Sequence, residues 1–330
     1  MRRPIIVLIP VKNEEWILSH FLRATEQFAD LIIVADQNST DHSRDICRNH
    51  DKVCLIDNPN PDYDEAFRQQ LLLAEARRQV PTGAILLALD VDEILTADSL
   101  HIPEWENLHT APLGTSLFFE KPDILHPPEL CRRSSTPFLL GFIDDGSPHT
   151  GDLIHSRRLP VSSPPRDLVF KHIKFMHLAM TRPQEYWDRQ HLYSVLENIN
   201  NSKTLRQRVG AYSERLQRRA IYRHAVPTPV GWTDGWTKLG LSLRELPSSA
   251  TNSYCRRVLE AFARFGTRRF FFDDIWARDW EAARQQILAE DPQSLVPRAP
   301  LAKPGIAHRL CTRVLIVAIQ RWRTLQRHKD

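Results

Sequence analysis

The sequence contains no apolar segment that approaches the roughly 20 residues needed for a membrane-spanning helix. Internal repeats and low-complexity tracts are also absent. The five cysteines form no CxxC pair and no zinc-ligand spacing, and such an odd, scattered set predicts free thiols in a reducing compartment. With 44 basic and 40 acidic residues, the net charge of +4 indicates no particular partner. The composition is that of an ordinary soluble globular protein, with room for one large domain or two smaller ones.

The amino terminus resembles a signal peptide over only a few residues. The apolar stretch at 4–10 is short, contains prolines and runs directly into the polar segment KNEE at 12–15. We therefore predict that this stretch is the first strand of the fold, and that the protein is cytoplasmic.

Short apolar runs alternate with amphipathic segments of helix length in the first 90 residues. We predict strands at 5–9, 31–35, 53–56 and 84–89, with helices at 14–28, about 40–50 and about 64–79. This alternation favours right-handed crossovers and a parallel sheet. Because ligands of such sheets bind at the carboxyl ends of the strands, the residues that follow each strand are candidates for a site.

The fourth predicted strand is followed directly by Asp90, Asp92 and Glu93. Two carboxylates that flank a single residue can bind a hard divalent cation. Acidic residues are also common at the first turn of a helix, so the spacing alone allows either interpretation. Polar segments at 10–14 and 36–41 occupy the same predicted sheet edge, and this convergence favours the metal site.

Three segments at this edge resemble motifs of the family 2 glycosyltransferases, enzymes with the GT-A fold that use nucleotide-diphosphate sugars. They are VLIPVKNEE at 7–15, VADQNSTD at 34–41 and LDVDE at 89–93. The last resembles the DxD motif with which the family binds a metal. The resemblance extends over about residues 4–120.

The resemblance implies an α/β protein with the GT-A (nucleotide-diphospho-sugar transferase) fold. We expect a mostly parallel central sheet flanked by helices, followed by a mainly helical C-terminal part. Residues 1–180 would form the nucleotide-sugar-binding catalytic domain. Residues 181–330 would form a helical region that completes the acceptor side.

The resemblance also implies which residues bind the nucleotide of a UDP- or GDP-sugar donor. Asp36 would bind the base, and the others would line the nucleotide or its phosphates. Gln37 stands where the family commonly has an aspartate, which leaves the identity of the base open. The full set is Pro10, Asn13, Glu14, Asp36, Arg68, Gln69 and Asp90.

For the metal, the resemblance implies that Asp90 and Asp92 bind Mn²⁺ or Mg²⁺ together with a late histidine. His177 lies at the end of a predicted strand and His172 lies inside it, so we prefer His177, although a structural histidine is an equally good interpretation. A divalent cation on the phosphates would lower the energetic cost of releasing the nucleoside diphosphate.

The general base that accepts the proton of the acceptor hydroxyl is less clearly marked. The family often carries its base in a Glu-Asp pair, and no such pair occurs in the region after the DxD motif where the family places it. The candidates are Asp144, Asp145 and Asp152. The pair Asp145-Gly146 is also a strong turn signal, so a plain turn is the alternative.

Two basic segments lie in the C-terminal half. Arginines between 206 and 223 alternate with apolar residues and suit an anionic acceptor, a membrane surface, nucleic acid or solvent. No nucleic-acid-binding module accompanies them, so we predict no nucleic-acid partner. The predicted basic amphipathic helix at 309–329 could lie on the inner membrane surface, dock on the body of the protein or dock on a second subunit.

Together with the resemblance, which implies an inverting reaction, these observations predict a metal-dependent, inverting, non-processive glycosyltransferase with a glycan, lipid or small-molecule acceptor. The absence of a membrane span and of a QxxRW motif argues against a processive polysaccharide synthase. One alternative is a nucleotidyltransferase, although the segment at 12–15 lacks the glycine-rich loop expected after its first strand. The other alternative is a non-catalytic protein that binds nucleotide sugars.

Overall fold

The computed structural model describes residues 2–62, 64–80, 82–152, 156–244, 246–247 and 253–327. The chain divides into two compact units. The first comprises residues 1–181 together with 226–247, and the second comprises residues 182–225 together with 248–330.

Each unit is made of two stretches of the chain, and the strands and helices are numbered here in chain order. The strands are β1 (Ile5–Val11), β2 (Leu31–Asp36), β3 (Val53–Asp57), β4 (Ile85–Ala88), β5 (Glu93–Leu95), β6 (Thr115–Glu120), β7 (Asp123–Ile124), β8 (Leu130–Arg132), β9 (Phe138–Ile143), β10 (Arg166–His177) and β11 (Val226–Pro227). The helices are α1 (Glu15–Thr25), α2 (Ser43–Arg48), α3 (Glu65–Gln79), α4 (Glu106–Thr110), α5 (Pro183–Ile199), α6 (Leu205–Tyr212), α7 (Glu214–Arg223), α8 (Asp234–Thr237), α9 (Ser253–Phe265), α10 (Trp280–Glu290) and α11 (Ile306–Arg327).

The strands of the first unit form one mixed sheet in the order β11-β8-β7-β10-β6-β9-β4-β1-β2-β3, and β5 pairs with β10. From β10 to β3 the strands run in the same direction except for β9, which is antiparallel to both β4 and β6. The second unit is built from helices. The predicted fold class is therefore confirmed: an α/β, GT-A-type architecture with a mostly parallel sheet and a mainly helical C-terminal part.

The central strands are apolar on both faces because helices cover both sides of the sheet. Along β1, Val7 and Ile9 face a core that contains Phe21 of α1, whereas Ile6 and Leu8 face a core that contains residues of α3. Successive side chains of a strand point to opposite faces, so continuous apolar runs arise wherever both faces are buried. Full burial of each such side chain contributes roughly 1.5–3 kcal/mol.

The strand register brings the carboxyl ends of the parallel strands to one edge. Leu8 of β1 lies beside Ala88 of β4, and Val11 lies beside Asp36 of β2. Strands β6 and β10 run parallel to each other and to β4, so they end at the same edge. We call this the carboxyl edge.

Two apolar cores lie within the described residues of the second unit. The larger includes Val195 of α5, Phe262 of α9 and Trp280 of α10. The smaller joins α6, α7 and α11 through Val209, Leu216, Ile316 and Ile319. Among the described residues, no helix combines the length and hydropathy required to cross a membrane.

Strand β10 contains an irregular segment that is completed by a side chain. Its pairing with β6 shifts register between Val169 and Lys174. In this segment the backbone N–H groups of Lys171, His172 and Ile173 donate to the Glu104 carboxylate at 2.9, 2.8 and 2.9 Å. Burial acts to raise the pKa of Glu104, but these three hydrogen bonds outweigh it and lower the pKa below 4.5. Glu104 therefore replaces ladder hydrogen bonds that the strand cannot make.

We expect Glu104→Gln to lower the free energy of unfolding at neutral pH by about 1–3 kcal/mol, since an amide oxygen cannot replace a charged acceptor of three N–H groups. The folded state binds the proton of Glu104 less readily than the unfolded chain does. The ionised Glu104 carboxylate therefore contributes to the free energy of unfolding above the ordinary pKa of 4.5, and this contribution is lost as the pH falls below that value. Urea denaturation at several pH values measures this difference.

The matched control is Glu106→Gln, which removes an exposed carboxylate two residues away and should leave the free energy of unfolding nearly unchanged. If Glu104→Gln and the unmodified chain had the same stability at neutral pH, the stabilising role of Glu104 would be wrong.

Candidate active site at the carboxyl edge

The acids that follow β4 form a tight turn. The backbone N–H of Glu93 donates to the Asp90 carbonyl at 2.9 Å, and the Asp90 N–H donates to the Glu93 carboxylate at 3.0 Å. Glu93 then begins β5, which pairs with β10 opposite His177. The turn leads into a strand, so these acids do not begin a helix.

Glu93 is a fully buried carboxylate that two cations neutralise. Lys121 lies 2.7 Å from Oε1, and Nη1 of Arg158 lies 2.5 Å from Oε2. Burial acts to raise the pKa of Glu93, but Arg158 and Lys121 outweigh it and hold the pKa well below its usual range. The carboxylate is therefore ionised and fixes both cations at the end of β4.

Arg158 also binds the first acid of the DxD sequence. Its Nη2 lies 2.5 Å from Oδ2 of Asp90, and its Nη1 donates to the Ala88 carbonyl at 3.3 Å. Burial acts to lower the pKa of Arg158, but the charges of Asp90 and Glu93 outweigh it and raise the pKa. One oxygen of Asp90 is thus engaged by a cation that the protein itself supplies.

The second acid of the sequence, Asp92, lies beside the predicted histidine. Oδ2 of Asp92 is 3.7 Å from Nε2 of His177, and the other ring nitrogen, Nδ1, is 2.7 Å from Oδ1 of Asp123. Burial acts to raise the pKa of Asp123, but the hydrogen bond with His177, and behind it Arg132, lower the pKa to about 2. Because an ionised carboxylate only accepts hydrogen bonds, Nδ1 carries the proton and Nε2 faces Asp92.

This arrangement fits a divalent cation held by two protein side chains. A carboxylate and an imidazole nitrogen are suitable ligands for Mn²⁺, and a histidine ligand commonly donates its other N–H to a carboxylate, as His177 does to Asp123. Within the described ranges, no group of three or more His, Cys, Asp or Glu side chains is placed to hold a metal. A cation bound here would need further ligands from phosphate oxygens and water, which is common for Mg²⁺ in nucleotide sites.

Two buried polar atoms lie near the same edge. Oδ2 of Asp36 accepts hydrogen bonds from Ser39 N–H at 3.2 Å and Arg44 Nη1 at 2.7 Å. Its Oδ1, and Oε1 of Gln69 in the early part of α3, are buried and have no hydrogen-bond partner among the described residues. Since an unsatisfied buried acceptor is costly, both atoms are suited to accept N–H groups of a ligand.

The predicted nucleotide residues after β1 lock two loops together. Asn13 has a positive φ of 57°, its N–H donates to Ser39 Oγ at 2.9 Å, and its Oδ1 accepts from Thr40 N–H at 2.7 Å. The Glu14 N–H donates to Ser43 Oγ at 2.9 Å. These contacts join the loop after β1 to the loop after β2.

The remaining predicted nucleotide residues also lie at this edge. Pro10 is near the end of β1, and Arg68 is in the first turns of α3, where Nη2 lies 3.9 Å from Glu65. Gln37, at the position of the family's usual aspartate, donates through Nε2 to the carbonyls of Asn60 and Asp62 at 2.6 and 2.7 Å. Its side chain therefore holds the loop after β3.

The structure does not bring Asp144 and Asp145 to the carboxyl edge. Because β9 is antiparallel to β4, the residues after β9 lie at the amino end of β4, where Asp144 N–H donates to the Ala84 carbonyl at 2.9 Å. Ala84 and Asp90 are six positions apart along this extended segment, which corresponds to about 20 Å. Asp144 is buried and lies 2.8 Å from Arg77 of α3, so it anchors that helix.

Asp145 serves the turn that the Asp-Gly pair indicates, accepting a hydrogen bond from Ser147 N–H at 2.9 Å. Asp152 is in a different position: it is exposed, and its N–H donates to Ser156 Oγ at 3.3 Å. The Ser156 N–H donates to Glu65 at the start of α3, which places this part of the loop toward the carboxyl edge.

Sequence reasoning missed the partners of the acids. Lys121 and Asp123 follow β6, and the rule that selected Asp90, namely polar residues after a strand, would have selected them as well. Arg158 gave no comparable signal, because the pair Arg157-Arg158 lies in a proline- and serine-rich stretch far from any predicted strand end.

The fold is an α/β, GT-A-type architecture, and the candidate site lies at the carboxyl edge of its sheet. Residues 6–102 match a family model described as Glycosyl transferase family 2. The match extends from β1 past β5 and confirms the resemblance seen in the motifs. It supports a glycosyltransferase. A search of curated proteins found no match.

Solved structures give weaker similarities. Glucosyl-3-phosphoglycerate synthase from Mycobacterium tuberculosis, in complex with Mn²⁺, UDP and glucosyl-3-phosphoglycerate, is 18% identical with a TM-score of 0.25, over 36% of this chain and 44% of that chain. Mannosyl-3-phosphoglycerate synthase from Rubrobacter xylanophilus is 15% identical with a TM-score of 0.27, over 38% and 42%. A 4-diphosphocytidyl-2C-methyl-D-erythritol synthase is 15% identical with a TM-score of 0.30, over 44% and 77%. The aligned part covers less than half of the first two proteins.

We expect Arg158→Met to lower the free energy of unfolding by about 3–5 kcal/mol, because it leaves the buried carboxylate of Glu93 with one cation fewer and Asp90 without its ion pair. The control is Arg133→Met. The Arg133 guanidinium forms a bidentate ion pair with Glu120 at 2.6 Å, but its side chain is 58% exposed. This substitution should cost no more than about 1 kcal/mol. Urea denaturation of both variants tests the difference, and equal losses would contradict the role assigned to Arg158.

Proposed function

We propose that this chain is a metal-dependent, inverting, non-processive glycosyltransferase that moves a sugar from a nucleotide-diphosphate donor to a hydroxyl acceptor. The observation that carries the proposal is the pair of Asp92 and His177, 3.7 Å apart and supported by Asp123, at the sheet edge of a family 2 domain. The donor is a UDP- or GDP-sugar. The acceptor is a glycan, a lipid or a small molecule.

The nucleotide binds across the ends of β1 and β2 in this proposal. The buried acceptors Oδ1 of Asp36 and Oε1 of Gln69 receive N–H groups of the base. Pro10, Asn13 and Glu14 shape the loop against which the nucleoside lies. Because uracil and guanine both present N–H donors, these acceptors are compatible with either base. Arg68 lies beside the phosphates, where its positive charge favours their binding.

Asp92 and His177 would hold Mn²⁺ or Mg²⁺ together with phosphate oxygens of the donor and water. Asp90 contributes the oxygen that Arg158 does not contact, either to the metal or to the ribose. When bound, the metal supplies positive charge to the departing diphosphate. Arg158 and Lys121 neutralise Asp90 and Glu93, so that these acids do not repel the anionic donor.

Transfer follows a single displacement at the anomeric carbon. The acceptor oxygen forms a bond to that carbon, the bond from the carbon to the phosphate oxygen breaks, and the nucleoside diphosphate leaves with the electron pair. Attack from the face opposite the leaving group inverts the anomeric configuration. We assign the general base to Asp152, which alone of the three candidate aspartates lies in a segment tied to the start of α3. Its carboxylate takes the proton of the acceptor hydroxyl.

The metal assignment predicts that UDP or GDP binds more tightly with Mn²⁺ than without it, and that Asp92→Ala and His177→Ala each abolish this enhancement. Asp123→Asn should weaken Mn²⁺ binding by about 10–100-fold, since it removes the partner that orients His177. Isothermal titration calorimetry measures these affinities.

The chain offers matched controls for both ligands. His172→Ala removes an exposed histidine of the same strand, and Asp145→Ala removes an aspartate at the opposite end of β4; both should bind Mn²⁺ and nucleotide normally. Binding of neither UDP nor GDP would refute the central proposal. Tight binding that Asp92→Ala leaves unchanged in Mn²⁺ would refute the metal assignment alone.

For the base, we expect Asp152→Asn to bind the nucleotide with unchanged affinity but to transfer or hydrolyse a nucleotide sugar about 10²–10⁴-fold more slowly. Asp144→Asn is unsuitable as a control because it breaks the ion pair with Arg77, so Asp145→Asn serves instead.

A panel of nucleotide sugars identifies the donor. Consumption of nucleoside triphosphate and sugar phosphate in place of nucleotide sugar would indicate a nucleotidyltransferase, and binding without any turnover would indicate a non-catalytic protein.

A further inference from the structure

Helix α11 of the second unit packs against its neighbours through one narrow face. Thr312, Ile316 and Ile319 are buried, and the two isoleucines contact Val209 and Leu216 in the smaller apolar core. These buried positions are three to four residues apart, as one face of a helix requires. The packing therefore accounts for only part of the apolar surface of α11.

The other side of α11 exposes a row of large apolar side chains. The spacing of its members is i, i+4, i+8, i+11 and i+19, which places them on one face of the helix. The row extends over about 28 Å at the usual rise per residue. Its members and their exposed fractions are Ile306 (87%), Leu310 (59%), Val314 (62%), Val317 (46%) and Leu325 (64%). Large apolar side chains exposed in such a row are unusual for a surface that faces only water.

The charge of α11 restricts what can cover this row. The segment 306–327 contains no aspartate or glutamate, and it carries five arginines. Arg313 and Arg321 are exposed, at helix positions beside and within the apolar row. A second copy of the chain would place two wholly basic helices against each other without an acid on either to pair with the arginines. The complementary partner is therefore anionic.

We propose that α11 binds the surface of an anionic lipid bilayer and lies parallel to it. Leu310, Val314 and Val317 enter the boundary between headgroups and acyl chains, and the arginines contact the lipid phosphates. A bilayer suits a long apolar row with basic side chains beside and within it, because arginine side chains can reach the headgroups while their alkyl parts stay in the apolar layer. The helix does not meet the criteria for a membrane span, so binding is in the plane of the interface.

Co-sedimentation of the full chain with two kinds of vesicle tests this proposal. The full chain should bind vesicles of equimolar phosphatidylcholine and phosphatidylglycerol and should bind pure phosphatidylcholine vesicles much more weakly. The double variant Arg313→Gln with Arg321→Gln should bind the anionic vesicles about 30-fold more weakly, since each basic side chain near an anionic surface contributes about fivefold to partitioning. The triple variant of Leu310, Val314 and Val317, each changed to Gln, should bind at least about 10-fold more weakly.

Two control variants change other exposed positions of this unit: one removes two arginines, as the double variant does, and the other removes one exposed leucine. Arg264→Gln with Arg268→Gln and Leu295→Gln should bind the anionic vesicles as the unmodified chain does. Because the substituted side chains are exposed, every variant should keep the unmodified thermal unfolding midpoint.

Several results would overturn the proposal. The first is no binding to anionic vesicles, and the second is equal binding to both vesicle types. The third is equal loss in the α11 variants and in their controls. Sedimentation of the protein without lipid tests the alternative, in which a second copy of the chain binds the apolar row. A concentration-dependent dimer that the triple apolar variant abolishes would support that alternative and overturn the proposal.

Discussion

The buried carboxylate of Glu93 organises the edge on which the proposed function depends. It receives the Asp90 N–H, the Lys121 ammonium and the Arg158 guanidinium, and so it joins the turn after β4, the residue after β6 and the loop that follows β9. A buried charge of this kind is stable only when all its partners are in place. The shape of the DxD turn and the position of its cations are therefore fixed together.

This arrangement divides the acids after β4 into two groups with different surroundings. Asp90 and Glu93 are neutralised by cations of the protein, whereas Asp92 faces His177, whose ring is oriented by Asp123. A site that is to bind an anionic diphosphate benefits from this neutralisation, because Lys121 and Arg158 offset the negative charge of Asp90 and Glu93. Because the charge of Arg158 is used to neutralise Asp90 and Glu93, this partly buried cation is compatible with a metal site beside it.

Part of the fold could be predicted from local patterns in the sequence. The alternation of apolar runs and amphipathic segments predicted β1 to β4 and the helices between them, because each of these elements buries its apolar residues in a regular period. The placement of Asp36 and Asp92 directly after strands could be predicted for the same reason. Asp144 and Asp145 were selected as possible bases without knowledge of the direction of β9. A strand pattern has the same period in either direction, so the sequence did not indicate that they would lie at the opposite end of β4.

The sequence by itself determined the class of fold, the edge of the sheet where the site lies, and the family resemblance, since all three follow from residues that are neighbours in the chain. Only the tertiary structure decided which distant side chains meet there. Arg158 reaches the acids after β4 from a segment with no periodic pattern. Residues 226–247 belong to the first unit although the helices of residues 182–225 precede them in the chain. Such contacts depend on the conformations of the loops, and the local patterns of the sequence do not predict these conformations. The same holds for α11: its amphipathic pattern was visible in the sequence, but only the packing of Ile316 and Ile319 showed which apolar side chains stay exposed.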